Sequence, residues 1–175
     1  MHIHARVPLL DDLLEAHRAA LGGDYAAYRN HCCRVYHLAV ELAGAARADL
    51  IAVACAFHDL GIWTDGTFDY LAPSAQRARR WLHEQGRAAD ADRVAAMIEY
   101  HHKLTPYTAD PLVEAFRRAD WIDVSLGALC FGVPRVHVQA LQRAFPDAGF
   151  HWRLVQLTAR QLAREPWRPL PMFRR

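Results

Sequence analysis

The chain has 175 residues, 53% of them hydrophobic, and a formal charge of +2 from twenty-one basic and nineteen acidic side chains. That is enough chain to bury a sizeable core in one domain, and the even mixing of charges leaves no basic tail or stripe to announce a nucleic-acid polymer or a membrane surface. Four cysteines are too few for a disulfide scaffold at this length and match no zinc spacing, so Cys32, Cys33, Cys55 and Cys130 read as reduced packing thiols.

Helical periodicity dominates and convincing alternation is absent, which predicts an all-α fold. A first helix is expected from about Val7 to Leu21, stopped by Gly22-Gly23, with Asp24 as N-cap of a long second helix reaching about Arg47. A third, apolar nearly all round and therefore central, covers about Asp49 to Leu60 and ends at Gly61. After the loop TDGTFDY, a fourth helix runs from near Pro73 to Gly86 and a fifth from about Ala89 to His102. Thr105-Pro106 breaks the chain. A sixth helix spans about Pro111 to Ser125, and two more cover about Pro134 to Ala144 and Asp147 to Arg164.

The tail EPWRPLPMFRR has three prolines and is not helical; its Trp167 and Phe173 cover the pocket, meet a second subunit in a homodimer, or simply pack. No repeat or long linker divides the chain, so one domain is expected over residues 1–175, with a core at about 24–125 and the C-terminal helices and tail at 134–175. The N-terminus lacks the layout of a signal peptide and no apolar run reaches the roughly 20 residues of a membrane span. The expected compartment is the cytoplasm.

The most informative residues are His58-Asp59, at the end of the apolar third helix. Burying ionisable groups uncompensated costs several kcal/mol, and a divalent cation supplies the compensation. On the second helix, His31 shares the inward stripe of Tyr28, Cys32 and Val35, whereas His37 lies roughly 120° away around the helix and reads as structural or surface. Asp120 follows Val113 and Phe116 at helical spacing and faces inward. Asp123, one turn later, is either the partner that orients a ligating His or a solvated acid. His101 and His102 end the fifth helix, where at least one reaches the same mouth. Mixed imidazole and carboxylate donors suit Mn, Fe, Co, Ni, Zn or Mg.

His31, His58-Asp59 and Asp120, in this order on successive helices, resemble the HD-domain superfamily of metal-dependent phosphohydrolases over about residues 24–125. The surrounding RNHCCRV, HDLG, Ile98-x-x-His101-His102 and ADWID agree with it. The resemblance implies an all-α fold of about five core helices with the metal between them, so the whole chain is expected to be a single-domain bundle of about six to eight helices with one divalent ion per chain held by His31, His58, Asp59 and Asp120. It also implies hydrolysis of a small phosphorylated substrate, often a nucleotide, by water activated on the metal. In that scheme Asp59 doubles as proton acceptor, His101 or His102 protonates the leaving oxygen, and Lys103, Arg29 or Arg34 adds charge for phosphate or is merely solvated. Some members carry a Glu just after the His-Asp pair; here Leu60, Gly61 and Ile62 follow, and the nearest acids are Asp65 and Asp69. His83 is disfavoured as a ligand because it follows the packing residue Leu82 and adjoins Glu84. The alternatives to a phosphohydrolase are a two-iron oxygenase, a metal-dependent hydratase or lyase, and a noncatalytic binding module.

Overall fold

A computed structural model describes residues 2–167 and 172. Eight helices of nine residues or more carry the fold, with two single-turn helices between them and no strand among the described residues. They are α1 (Pro8–Ala16), the one-turn α2 (Arg18–Leu21), α3 (Tyr25–Ala43), α4 (Ala48–Phe57), the one-turn α5 (Gly61–Thr64), α6 (Leu71–Glu84), α7 (Ala91–Tyr100), α8 (Pro111–Val124), α9 (Arg135–Ala144) and α10 (Phe150–Arg164).

The expected central helix is central. Every residue of α4 from Leu50 to Phe57 is buried, and the helix packs against α1, α3, α6 and α7. A helix apolar on all sides has no face to offer water, so its neighbours enclose it. α8 closes the arrangement by packing along α3 and α7. One hydrophobic cluster thus runs from Val7 on the entry to α1 to Phe150 on α10.

Local chemistry shifts several boundaries. The first helix breaks at His17, and the second stops at Ala43 because Gly44 takes the left-handed φ of 82° that ends it. Asp24 caps nothing with its side chain; its carboxylate accepts the indole N–H of Trp63 at 2.8 Å and lies 3.1 Å from Arg153 Nε. α6 starts at Leu71, two residues before Pro73, which the first turn tolerates because its N–H groups have no partner within the helix. Asp110 is a true N-cap for α8, accepting from the Leu112 N–H at 2.8 Å.

The central helix ends at Phe57 rather than at Gly61, which instead opens α5. A Cβ there would stand 2.9 Å from the Tyr70 carbonyl oxygen and 3.0 Å from Ser74 Oγ, and the Gly61 N–H donates to that same Ser74 Oγ at 3.0 Å. The absence of a side chain lets the chain just after His58-Asp59 lie directly on the start of α6. Tyr70 is thereby fixed beside the metal-ligand candidates.

Candidate metal centre

His31 projects from the buried face of α3, its ring stacked on Phe150 with centroids 4.0 Å apart. His58 and His101 each follow the last residue of a helix, where terminal carbonyls lack intrahelical donors. Each fills that deficit in the same way: His58 Nδ1 donates to Cys55 O at 2.8 Å and His101 Nδ1 to Ile98 O at 2.7 Å. His31 Nδ1 donates instead to Asp123 Oδ2 at 2.7 Å. With all three Nδ1 atoms committed, the hydrogen-bond network assigns the inward lone pairs to Nε2, the arrangement that orients a ligating imidazole.

Those Nε2 atoms converge with two carboxylates. His31 and His58 Nε2 are 2.9 Å apart, Asp59 Oδ2 is 3.3 Å from His58 Nε2 and 3.6 Å from His31 Nε2, and Asp120 Oδ1 is 3.6 Å and 3.9 Å from His31 and His58 respectively. His101 Nε2 stands 3.3 Å from Asp59 Oδ1, and His102 Nδ1 stands 3.5 Å from Asp120 Oδ2. Asp59 Oδ1, His101 Nε2 and both Asp120 oxygens are buried without a hydrogen-bond partner among the described residues. Such orphaned acceptors are costly in a dry interior, and a divalent cation satisfies all of them together. The donor set therefore fits a metal ion. Three overlapping groups have suitably clustered ligand atoms: His31, His58 and Asp59; His58, His101 and Asp120; and Asp59, His101 and His102.

The electrostatics match that fit. Burial opposes a charge on His58, but the carboxylates of Asp59 and Asp120 outweigh it and lift its pKa to about 9. Burial would raise Asp59, but the charge of His58 and the adjoining His101 and His58 rings hold it well below the usual carboxylate range. Asp120 is raised, chiefly by burial. A proton on His58 Nε2 can thus bridge to His31 Nε2, whose own pKa burial lowers. A cation bound there takes the place of that proton.

Asp123 orients His31 and is not solvated. It is buried, accepts from His31, and is gripped by Arg34 through Nε–Oδ1 at 2.5 Å and Nη2–Oδ2 at 2.9 Å. Burial opposes its charge, yet the His31 and Arg34 hydrogen bonds depress it to about 2. Arg34 is consequently committed to Asp123 and to the Phe145 carbonyl, and Arg29 is committed to Asp11 at 2.7 Å; neither faces the centre as a phosphate ligand. Lys103 Nζ bonds Thr105 Oγ1 in the loop beyond α7. His37 is structural: Nδ1 donates to Cys33 O at 2.8 Å and Nε2 accepts the His4 N–H at 3.0 Å. His83 is exposed on α6, and Asp65 pairs with Arg77. Trp167 is exposed and covers nothing, while Phe173 lies outside the described residues.

Sequence reasoning overlooks Tyr70. Its ring is fully buried, and its hydroxyl lies 2.8 Å from His102 Nε2. Its place in the segment Phe68-Asp69-Tyr70-Leu71, just before α6, is the one available signal. His102 is the member of the cluster nearest solvent, with 12% of its side chain exposed against at most 4% for His31, His58, Asp59, His101 and Asp120. The centre is therefore approached from the His102 and Tyr70 side.

Residues 28–125, more than half of the chain, match the family model for the HD domain. No curated protein and no solved structure matches the chain.

Proposed function

Because the chain belongs to the HD domain family, whose members are mostly metal-dependent hydrolases, we propose that it is a phosphohydrolase that cleaves a small phosphorylated substrate, a nucleotide among the candidates, using one divalent ion per chain. The carrying observation is the set of orphaned donors from Asp59, His101 and Asp120 around the paired Nε2 atoms of His31 and His58. His31, His58, Asp59 and Asp120 would hold the ion. When bound, a divalent cation supplies Lewis acidity toward a phosphoryl oxygen and makes water nucleophilic near neutral pH.

The chain's own groups do the rest. Asp59 Oδ1, free of hydrogen bonds, accepts the water proton, and His101 Nε2 at 3.3 Å receives it in turn. Tyr70 donates its hydroxyl proton in a hydrogen bond to His102 Nε2, which directs the His102 N–H at Nδ1 into the centre. That N–H is the donor for the leaving oxygen, at the solvent-facing side where a product departs. Lys103 adds charge for phosphate by exchanging Thr105 Oγ1 for a phosphoryl oxygen. No Glu serves as base, so Asp59 carries both duties.

A two-ion reading has one observation in its favour, the group of Asp59, His101 and His102. The contact with Tyr70 is compatible with it, since a His102 ligating through Nδ1 would donate its Nε2–H to the Tyr70 hydroxyl. The test is metal content per chain on protein purified without chelator, with Asp59→Ala beside it, followed by a phosphate-release screen of nucleotides with Mn, Co, Ni and Mg. About one ion per chain, lost in the variant, together with phosphate release is the expected result. Two irons with no phosphate release would favour an oxygenase, and no metal would remove both readings.

A further inference from the structure

Most arginines of the described chain are spoken for: Arg18, Arg29, Arg34, Arg77, Arg79, Arg87, Arg93, Arg117 and Arg118 each have a carboxylate partner. Arg47, Arg80, Arg135, Arg143, Arg160 and Arg164 make no ion pair among the described residues. Of these, Arg160 and Arg164 on α10 line one cleft of about 200 Å³ between α10 and the loop after α5, together with Arg153, whose charge is matched by Asp24 at 3.1 Å. No carboxylate among the described residues lines that cleft. Arg153, Leu157, Arg160, Gln161 and Arg164 recur at helical spacing, so one face of α10 presents three guanidinium groups to the same hollow.

The opposite wall is the loop after α5. Gly66, at φ 61°, has nothing within 4 Å of where a Cβ would stand, and no hydrogen bond occupies the N–H groups of Gly66, Thr67 or Phe68 among the described residues. The floor is Ile62, Phe68 and Leu157, part of the apolar cluster that includes Tyr70. Ring centroids step 6.5 Å from His101 to Tyr70 and 6.1 Å from Tyr70 to Phe68. The cleft wall therefore lies within about 13 Å of the metal centre, on the side from which the centre is approached.

We infer that the Arg153–Arg160–Arg164 cleft binds a second anionic group of the substrate, so that the preferred substrate carries a phosphate, or a chain of phosphates, remote from the ester that is cleaved. This rests on the phosphohydrolase reading and narrows its substrate class. Guanidinium groups recognise phosphate oxygens through paired N–H donors.

The experiment titrates inorganic pyrophosphate into metal-loaded protein by calorimetry, comparing wild type with Arg160→Gln/Arg164→Gln and Arg160→Lys/Arg164→Lys, and measures metal content before and after. Both arginines are exposed and unpaired, so the variants keep the fold. Charge-assisted hydrogen bonds of this kind set the expected loss at about tenfold or more in the Gln pair, with partial recovery in the Lys pair and weaker binding at high salt. Equal affinity in wild type and the Gln pair at unchanged metal content overturns the proposal. The two readings fail separately. Pyrophosphate binding lost in the Gln pair, with no phosphate release from any substrate by wild type, keeps the anion site and removes the hydrolase; phosphate release with pyrophosphate affinity unmoved does the reverse.

Discussion

The metal centre and the α10 edge handle charge in opposite ways. Between α3, α4, α7 and α8, the histidine Nδ1 atoms of His31, His58 and His101 are each pinned, Arg34 is locked to Asp123, and Arg117 is locked to Glu114 at 2.7 Å. On α10, Arg160 and Arg164 stand unpaired, and Trp152, Val155 and Leu162 are exposed. Burial makes an unmatched charge expensive, and the buried carboxylate and imidazole atoms left without hydrogen-bond partners among the described residues gather chiefly at the centre, on Asp59, His101 and Asp120. At the wet edge an unmatched guanidinium costs little and stays available.

The contrast breaks most severely at Arg34. Arg34→Met leaves Asp123 buried without its cation, and removing one partner of a buried pair costs about 3–5 kcal/mol. Thermal unfolding should show a large fall in Tm, accompanied by about ten- to hundredfold weaker metal binding because Asp123, no longer gripped by Arg34, holds His31 less firmly. Gly61→Ala comes next. Its Cβ would collide with the backbone of Tyr70, and overpacking of this kind costs about 1–3 kcal/mol, readable by denaturant titration.

Protons sharpen the same comparison. His58 is raised to about 9 and must lose its Nε2 proton to ligate, so metal affinity should rise about tenfold per pH unit and level off above about pH 9; a flat profile from pH 6 to 9 would contradict the exchange. Asp123 has the opposite sign. Its folded pKa of about 2 lies below the ordinary 3.8, so its contribution to stability is present above pH 3.8 and is lost as pH falls through 2; urea titrations across that window read it.

Tyr70→Phe is a smaller change. It removes the donor to His102 Nε2 and should cost about 1 kcal/mol in stability. Metal content should stay intact while kcat falls, which separates His102 orientation from ion binding. At the far end of the scale, Trp152→Ser on α10 should shift stability by less than about 0.5 kcal/mol, since the side chain is exposed. A large loss there would mean that α10 is as tightly built as the centre.

Much of the site was legible in one dimension. His31 was readable from its place among Tyr28, Cys32 and Val35, and Asp120 from its spacing to Phe116, because a helix converts spacing into direction. The central place of α4 followed from an unbroken apolar run. Asp24 misled because a residue suited to capping is equally suited to pairing with Trp63 and Arg153, and that choice lies with partners 39 and 129 positions away. Gly61 misled for a similar reason. A glycine after a helix looks like a stop signal whether or not Ser74 and Tyr70 are pressed against it.

By itself, then, the sequence determined the helices, their inward faces, and the ligand candidates His31, His58, Asp59 and Asp120, all of which depend on neighbours within a few residues. Only the tertiary structure decided that Asp123 and Arg34 form one buried unit, that Tyr70 holds His102, and that Arg160 and Arg164 face an open cleft without a counter-charge. Pairing between remote side chains is set by how helices cross, and no local periodicity encodes which residues meet there.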